Sequence, residues 1–586
     1  MILQSLHALY DRIKDDRDYS VAPPGYSLQK ITFKVVLRPD GTLLDIQDAR
    51  RERDGGKTPR QVRVLGETKS SGSALNPCFL WDNTAYMLGF KPEDSKPQRT
   101  KRAFEAFRKK HLSLEQEVGS PVFSTVCRFL EQWSPETAAD YTVLPEVANG
   151  FGVFQIAGQS AFVHEDETTD SWWRRHCGDR EVGRAEGQCL LTGEWTPIAR
   201  LHPMIKGVWG GRAQASLVGF NESAYESYGK EQSYNAPVGR RAAFEYGAAL
   251  NALLDGPMRS RHRMMLGDMT VAFWTDRPTL VEDVFAGFAA YGVTDGSQDE
   301  VQDEGVRRRL EVFLDALRKG VDWSGEPDED PERTQFYILG LSPNSARLSV
   351  RLFLRGSVRQ LIENLRRHYA DIRVEPQFGE GSGRPDPEFP SIKVLLRQTA
   401  REEDHVPPLL AGPLVRAIIG GTRYPEGLYC AVVRRIRSDR VVNYVRACII
   451  KGFLARNHSE EVTMSLDTQR TDAAYRAGRL FAALEKTQAD ALGAVGASIR
   501  DRFYGAASAT PRAIFPRLLR TYQHHLAKME GGLKVNRERL VQEILDPVTD
   551  FPAHLDLVGQ GLFALGYYHQ MRDFYRKKES SAQASD

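Results

Sequence analysis

Apolar residues recur at helical spacing at the start of the chain, where Leu3, Leu6, Leu9, Tyr10 and Ile13 share one face. The next apolar positions, Ile31, Phe33 and Val35, alternate instead, and Pro39-Asp40-Gly41 offers a turn into a returning strand. A helix followed by a β-hairpin is predicted. Thr100 to Leu130 reads as two helices broken at Gly119-Ser120-Pro121. From Phe151 to Gly239 the helical period fades while Gly, Trp and Tyr become frequent, which predicts short strands and exposed loops. Helix returns over Arg240 to Leu254, and Met269 to Trp274 is a short apolar strand. FYILGLSPNSARLSVRLF predicts strand–turn–strand, with Pro343, Asn344 and Ser345 as the turn and Leu348, Val350 and Leu352 alternating afterwards. SVRQLIENLRRHYADI follows as a helix.

Two acidic stretches, GSQDEVQDEG and SGEPDEDPER, bracket a helix carrying Arg307, Arg308 and Arg309, and read as solvated loops. The Gly/Pro-rich run from Gln377 to Pro390 is the best linker candidate. Beyond Asn443 the pattern is helical. Ile514, Leu518, Leu519, Tyr522 and Leu526 form one stripe, Leu540, Val541, Ile544 and Leu545 a second, and Val558, Leu562, Leu565 and Tyr568 a third. The final ESSAQASD reads as a frayed tail. The expected class is α+β: a mixed N-terminal body with β-hairpins and helices, then an all-α C-terminal helical bundle. The expected division is 1–376 as the mixed α+β N-terminal region, 377–391 as a linker, 392–463 as a connecting helical region and 464–586 as the bundle.

A chain of 586 residues can bury several cores. The 79 Lys and Arg against 77 Asp and Glu leave a formal charge of +2, so any contact with nucleic acid must come from local clustering. Six cysteines without a CxxC point to a reducing, cytoplasmic compartment. No leader pattern opens the chain and no apolar run is long enough to span a bilayer, so no membrane role is expected.

A phosphate loop, GxGxxG after a strand, HExxH and GxSxG are all missing. His176, Cys177 and Cys189, with His202 as a remote fourth, come nearest to a metal cluster, but lack the paired close spacing of zinc sites. Neither a catalytic constellation, a metal nor a cofactor is expected.

Three segments look suited to nucleic acid. In the first, Lys69, Ser70, Ser71 and Gly72 form a small polar loop that a phosphate can approach, and Asn76 offers an amide to a base edge. Asp82, Asn83 and Tyr86 would hold that loop against the next helix; a purely structural turn is the competing reading. In the second, Lys206, Trp209, Gly210, Gly211 and Arg212 combine cations, a flat aromatic and close backbone, while Lys230, Gln232 and Asn235 place donors on a second loop. A Gly-rich hairpin packed on a neighbouring subunit explains the same residues. The third is the helical end, where residues 464–586 hold 17 Lys and Arg against 14 Asp and Glu, 17 − 14 = +3. Arg500, Arg502, Arg512, Arg517, Arg520, Arg537 and Arg539 recur on its helices, as a groove for single-stranded DNA or as solvated faces.

TGEWTPIARLHPMIKGVWGG, followed by LVGFNESAYESYGKEQSYNAP, resembles the signature of the large subunit of the type I-C CRISPR Cascade. NPCFLWDNTAYMLG and YILGLSPNSARLSVRLF match that family in order, so the resemblance covers nearly the whole chain. It implies a non-catalytic subunit that recognises the protospacer-adjacent motif (PAM) in double-stranded DNA and promotes duplex opening and R-loop formation. It also implies support of the displaced non-target strand and of recruitment of a helicase–nuclease. The implied partners are the crRNA-bound Cascade backbone, the crRNA-end subunits and small subunits equal to the chain's own C-terminal domain, with Met464 as a possible internal start. A structural scaffold capping the crRNA end is the alternative, and a nuclease or metal-dependent RNA processor the third.

Overall fold

A computed structural model describes residues 1–53, 56–66, 69, 75–148, 150–176, 185–211, 215–220, 222–266, 268–279, 281–282, 285, 332–345, 347–378, 385–402, 405–493 and 496–582. Contacts divide the chain into two units, Met1–Lys206 with Arg212–Pro257, and Gly207–Gly211 with Met258–Asp586. The fold is α+β.

Unit 1 carries strands β1 (Tyr26–Leu37), β2 (Leu43–Asp48), β3 (Arg51–Arg53), β4 (Gly56–Thr58), β5 (Arg60–Leu65), β6 (Trp81–Asp82), β7 (Phe151–Ile156), β8 (Glu186–Gln188) and β9 (Trp195–Pro197). The predicted hairpin is β1 with β2, antiparallel, Val35 opposite Ile46. β1 is long enough to pair with β5 along its first half and β2 along its second. On its other edge β7 runs parallel, and β6 pairs antiparallel with β7. The break at Gly119-Ser120 separates helices Pro97–Val118 and Pro121–Gln132. Gly119 adopts φ +62° to end the first, and Ser120 Oγ accepts the Phe123 N–H at 3.2 Å to start the second. Phe104, Phe107, Phe123 and Phe129 are buried with Phe33, Val35 and Phe154 in one core, each such ring contributing about 1.5–3 kcal/mol. The helix Ile2–Ile13 buries Leu6, Leu9, Tyr10 and Ile13 and packs on the helix Arg240–Asp255.

One element departs from expectation. Residues 151–239, read as strands and loops, hold a helix at Glu167–His176. Only Thr169 and Trp172 are buried on it, a stripe too thin to show a period.

Unit 2 carries an antiparallel meander of β10 (Arg263–Leu266), β11 (Met269–Thr275), β12 (Gln335–Asn344) and β13 (Arg347–Ser357). Pro343 and Asn344 pair with Leu348 and Arg347, so they extend the strand and the reversal is tighter than the predicted turn. The register also shifts between Gly340 and Leu341. A bulge there exchanges the faces of β13, leaving Leu352 1% exposed in the core and Val350 43% exposed. The expected linker lies within unit 2, and residues 379–384 of it fall outside the described residues. Its flanks close on each other, since Asp386 accepts the N–H groups of Gln377 (2.7 Å) and Phe378 (2.8 Å).

The C-terminal region is helical as predicted: Tyr444–His458, Ala473–Leu492, Ile499–Ala507, Pro511–Leu526, Gly531–Leu545 and Leu557–Ala582. The second and last of these touch through glycines. A Cβ on Gly478 would stand 2.0 Å from the Phe563 carbonyl oxygen, and one on Gly566 2.1 Å from that of Tyr475. The last helix runs to Ala582, into the expected tail, because no Gly or Pro interrupts the preceding turns. The helix expected around Arg307 and its acidic flanks lies outside the described residues. Among the described residues no helix is long and apolar enough to cross a membrane.

Candidate nucleic-acid interface

Lys69 is held from within. Its ammonium rests on both carboxylate oxygens of Asp82 and lies 3.3 Å from the centre of the Tyr86 ring. Asp82 is fully buried and also accepts the N–H groups of Cys78 (3.0 Å) and Asn83 (2.7 Å). Burial raises its pKa in spite of Lys69. Asn83 in turn caps the helix Thr84–Met87. Asp82 and Tyr86 therefore hold Lys69 in an internal anchor, next to the helix that Asn83 caps, and Lys69 is not an outward cation. Asn76 is exposed; Ser70, Ser71 and Gly72 lie outside the described residues.

The second segment begins at Lys206. Its backbone N–H donates to Asn251 Oδ1 at 2.7 Å, and Asn251 Nδ2 donates to the Met204 carbonyl at 2.9 Å. The side chain is half-buried, and its ammonium makes no hydrogen bond or ion pair among the described residues. Burial lowers its pKa, Asp255 works against that shift and Lys30 adds to it. Gly207–Gly211 belongs to unit 2, where the Trp209 N–H donates to Thr270 Oγ1 at 3.0 Å and the indole is 71% exposed. Gly210 is exposed with φ +67°, and Gly211 is half-buried. Arg212 lies outside the described residues.

Lys230, Gln232 and Asn235 do come together, around a turn. Ser227 and Lys230 form an antiparallel bridge with Tyr228 (φ +55°) and Gly229 (φ +67°) between them, the type I′ geometry. Asn235 holds this turn closed. Its Oδ1 accepts the Ser227 N–H at 2.9 Å, and its Nδ2 donates to the carbonyls of Lys230 (2.7 Å) and Gln232 (2.9 Å). Gln232 Oε1 accepts from Arg200 Nη1 at 3.2 Å. The Asn235 amide, expected to face a base edge, is engaged at both ends. Lys230 is exposed.

The Cys189 thiol is internal, accepting the N–H groups of Gly239 (3.1 Å) and Leu191 (3.4 Å). His202 shares a 2.6 Å hydrogen bond with the Tyr246 hydroxyl, and burial lowers its pKa to about 4. His176 Nδ1 lies 2.8 Å from the Trp172 carbonyl, and Cys177 is outside the described residues.

The C-terminal arginines divide into two sets. Arg512 pairs with Asp550, Arg537 with Asp490 at 2.7 Å, and Arg500 with Glu485 at 3.7 Å. From Arg502 to Met529 the sequence contains no carboxylate. On the helix Pro511–Leu526 the exposed Arg517, Arg520 and His524 share one face, continued by Lys528 just past its end. None of the four forms an ion pair among the described residues. Arg517 lies 5.2 Å from the centre of the Phe503 ring.

A model of the CRISPR-associated protein family Cas_Csd1 matches residues 6–575. The chain belongs to this family. Membership makes it a CRISPR-associated Cascade subunit and agrees with the large subunit of the type I-C complex. No curated protein matches the chain. In this Csd1-family chain, the sequence pattern pointed to Arg517 and Arg520 but not to Lys30, Arg200 or Tyr228, nor to His524 and Lys528, which complete the stripe. The stripe was open to detection as a carboxylate-free run with cations at helical spacing. Arg200 and Lys30 gave no signal, because only the fold brings them to Gln232 and Lys206.

Proposed function

We propose that this chain is the Cascade subunit that recognises the PAM in double-stranded DNA and promotes opening of the duplex and R-loop formation. It carries no chemistry of its own and supports recruitment of a helicase–nuclease. Lys206 is the observation that carries the reading. A half-buried ammonium with no ion pair among the described residues is costly, a cost that Asp255 offsets in part, and a phosphate oxygen relieves it where a neutral ligand does not. Lys30 adds a second positive charge, and the exposed Asn76 of the same unit supplies an amide. In unit 2, the exposed Trp209 indole supplies a stacking face of its own. The stripe of Arg517, Arg520, His524 and Lys528 suits the backbone of the displaced strand, and phosphates have no carboxylate to avoid along it. Small subunits made from an internal start near Met464 belong to the same reading. That residue lies in the loop before the helix Ala473–Leu492. Intact-mass measurement of the purified complex shows a second, shorter species if that start is used.

Scaffolding at the crRNA end remains the second reading, favoured by Leu190 (61% exposed), Trp195 (72%) and Leu201 (60%), apolar side chains suited to a protein neighbour. One variant separates the two. In Lys206→Ala, a reader assembles normally and loses about tenfold or more in affinity for PAM-bearing duplex, with a smaller salt dependence. A scaffold keeps that affinity.

A further inference from the structure

The most exposed large apolar side chain in unit 1 is Tyr228, at 97%. Exposure of this kind is common on mobile loops, but this loop is tied at five points. The Lys230 N–H donates to the Ser227 carbonyl at 3.0 Å, and Asn235 adds its three bonds. The Gln232 N–H donates to Glu226 Oε1 at 3.3 Å. Beyond the turn, the Ser233 N–H reaches the Arg200 carbonyl at 3.3 Å and the Ser233 side chain is buried. At the tip, nothing lies within 4 Å of where a Gly229 Cβ would stand. An aromatic ring is thus held out on a stiff two-residue turn, where little side-chain or backbone freedom is left to lose on binding.

Charge decides what the ring meets. From Glu222 to Glu231 the segment carries Glu222, Glu226 and Glu231 against Lys230 alone, 1 − 3 = −2. Phosphates brought to this tip would face Glu222 and Glu231, both exposed. A protein cleft with basic side chains at its rim meets no such penalty, and Tyr is among the residues that anchor protein interfaces. We infer that the Tyr228 turn is a docking finger: the ring enters an apolar pocket on another protein subunit of the Cascade, and Lys or Arg residues at the pocket rim face Glu222 and Glu231. This inference rests on family membership and on the turn, and is independent of where DNA is read.

The test uses the full complex, assembled from its protein subunits and guide RNA, with the dissociation constant of this chain as readout. Tyr228→Ala weakens incorporation about tenfold or more, while Tyr228→Phe, which keeps the ring, stays near the parent. Glu222→Lys with Glu231→Lys weakens incorporation as well, and more at low salt than at high. Unchanged incorporation of Tyr228→Ala overturns the inference. So does a Glu222→Lys, Glu231→Lys protein that assembles normally and binds DNA more tightly, the sign expected of a nucleic-acid contact. Because the Tyr228 residue is 97% exposed, an unchanged thermal midpoint separates lost docking from lost folding. PAM discrimination by the Lys206→Ala complex bears only on the DNA reading, so the two failures are distinguishable.

Discussion

The loops of unit 1 and the C-terminal helices of unit 2 hold similar polar side chains and use them in opposite ways. Between Leu190 and Asn235 the described amides are engaged within their own chain. Asn235 closes a turn and Gln232 takes a hydrogen bond from Arg200, leaving Trp195, Leu201 and Tyr228 to meet solvent. Among the helices, Arg476 and Arg479 are buried. Arg476 donates to the carbonyls of Glu543 (3.1 Å) and Ile544 (3.3 Å), closing the end of the helix Gly531–Leu545, and Arg479 reaches Glu543 at 3.1 Å. Arg517 and Arg520 lie outside. A helix fixes in advance which cations share a face. A loop must use its own polar groups to exist at all, because its backbone has no ladder to join.

The largest effect that tests this contrast is expected at the anchor of the first loop. Among the described residues Asp82→Ala leaves the Lys69 ammonium, 12% exposed, with the Tyr86 ring alone, and unit 1 should lose about 3–5 kcal/mol in urea unfolding. Because burial raises the Asp82 pKa, the pair is held against its desolvation cost. Lys69→Met with Asp82→Leu should therefore recover most of that loss. A single variant within about 0.5 kcal/mol of the parent would show the loop to be free of its anchor.

Next in size is a pH effect in the same unit. His111 is fully buried, its Nε2 accepts the Leu80 N–H at 2.9 Å, and its Nδ1 lies 2.8 Å from the Phe107 carbonyl, so the ring is neutral with its proton on Nδ1. Burial lowers its pKa from 6.5 to about 3. Between those values the unfolded chain binds a proton that the folded one does not, so stability falls as pH drops below 6.5. One such group contributes about 1.4 kcal/mol per pH unit. Asp82, shifted upward, gains its proton on the same descent and offsets part of the loss. The readout is therefore the difference between parent and His111→Gln, whose slope between pH 6 and 5 should be shallower by about that amount. Smaller still, Asn235→Ala should cost about 1 kcal/mol, seen as faster hydrogen exchange at the Ser227 amide and its neighbours.

Regular elements were legible in the sequence wherever apolar positions kept a period between clear stops. The β1–β2 hairpin, the break at Gly119-Ser120 and the C-terminal helices each carry a period and a punctuation residue. Glu167–His176 was not, since two buried positions make no period, nor was the face exchange at Val350, which a bulge sets by register. For the interface, residue types were legible and availability was not. Nothing in the letters says that Lys69 meets Asp82 thirteen residues on, that Asn235 reaches back to Ser227, or that Lys206 is half-buried in the fields of Asp255 and Lys30. The resemblance pointed to these segments, and side-chain geometry divides their described residues into anchors and open groups.

The smallest expected effect on stability falls on the stripe of unit 2, where it isolates function most cleanly. Arg520→Gln and Lys528→Gln remove exposed cations without a pair, so folding should move by no more than about 0.5 kcal/mol. Binding of single-stranded DNA by the chain should nevertheless weaken, and the slope of log affinity against log salt should fall by about 0.7 for each cation removed. Arg537→Gln provides the opposing control. Its guanidinium is held by Asp490 at 2.7 Å and lies 4.5 Å from the centre of the Phe574 ring, so stability should drop while the salt slope stays where it was. If the two variants instead changed the slope equally, pairing inside the fold would not govern which arginines reach a phosphate. The contrast between engaged and open side chains would then hold for stability alone.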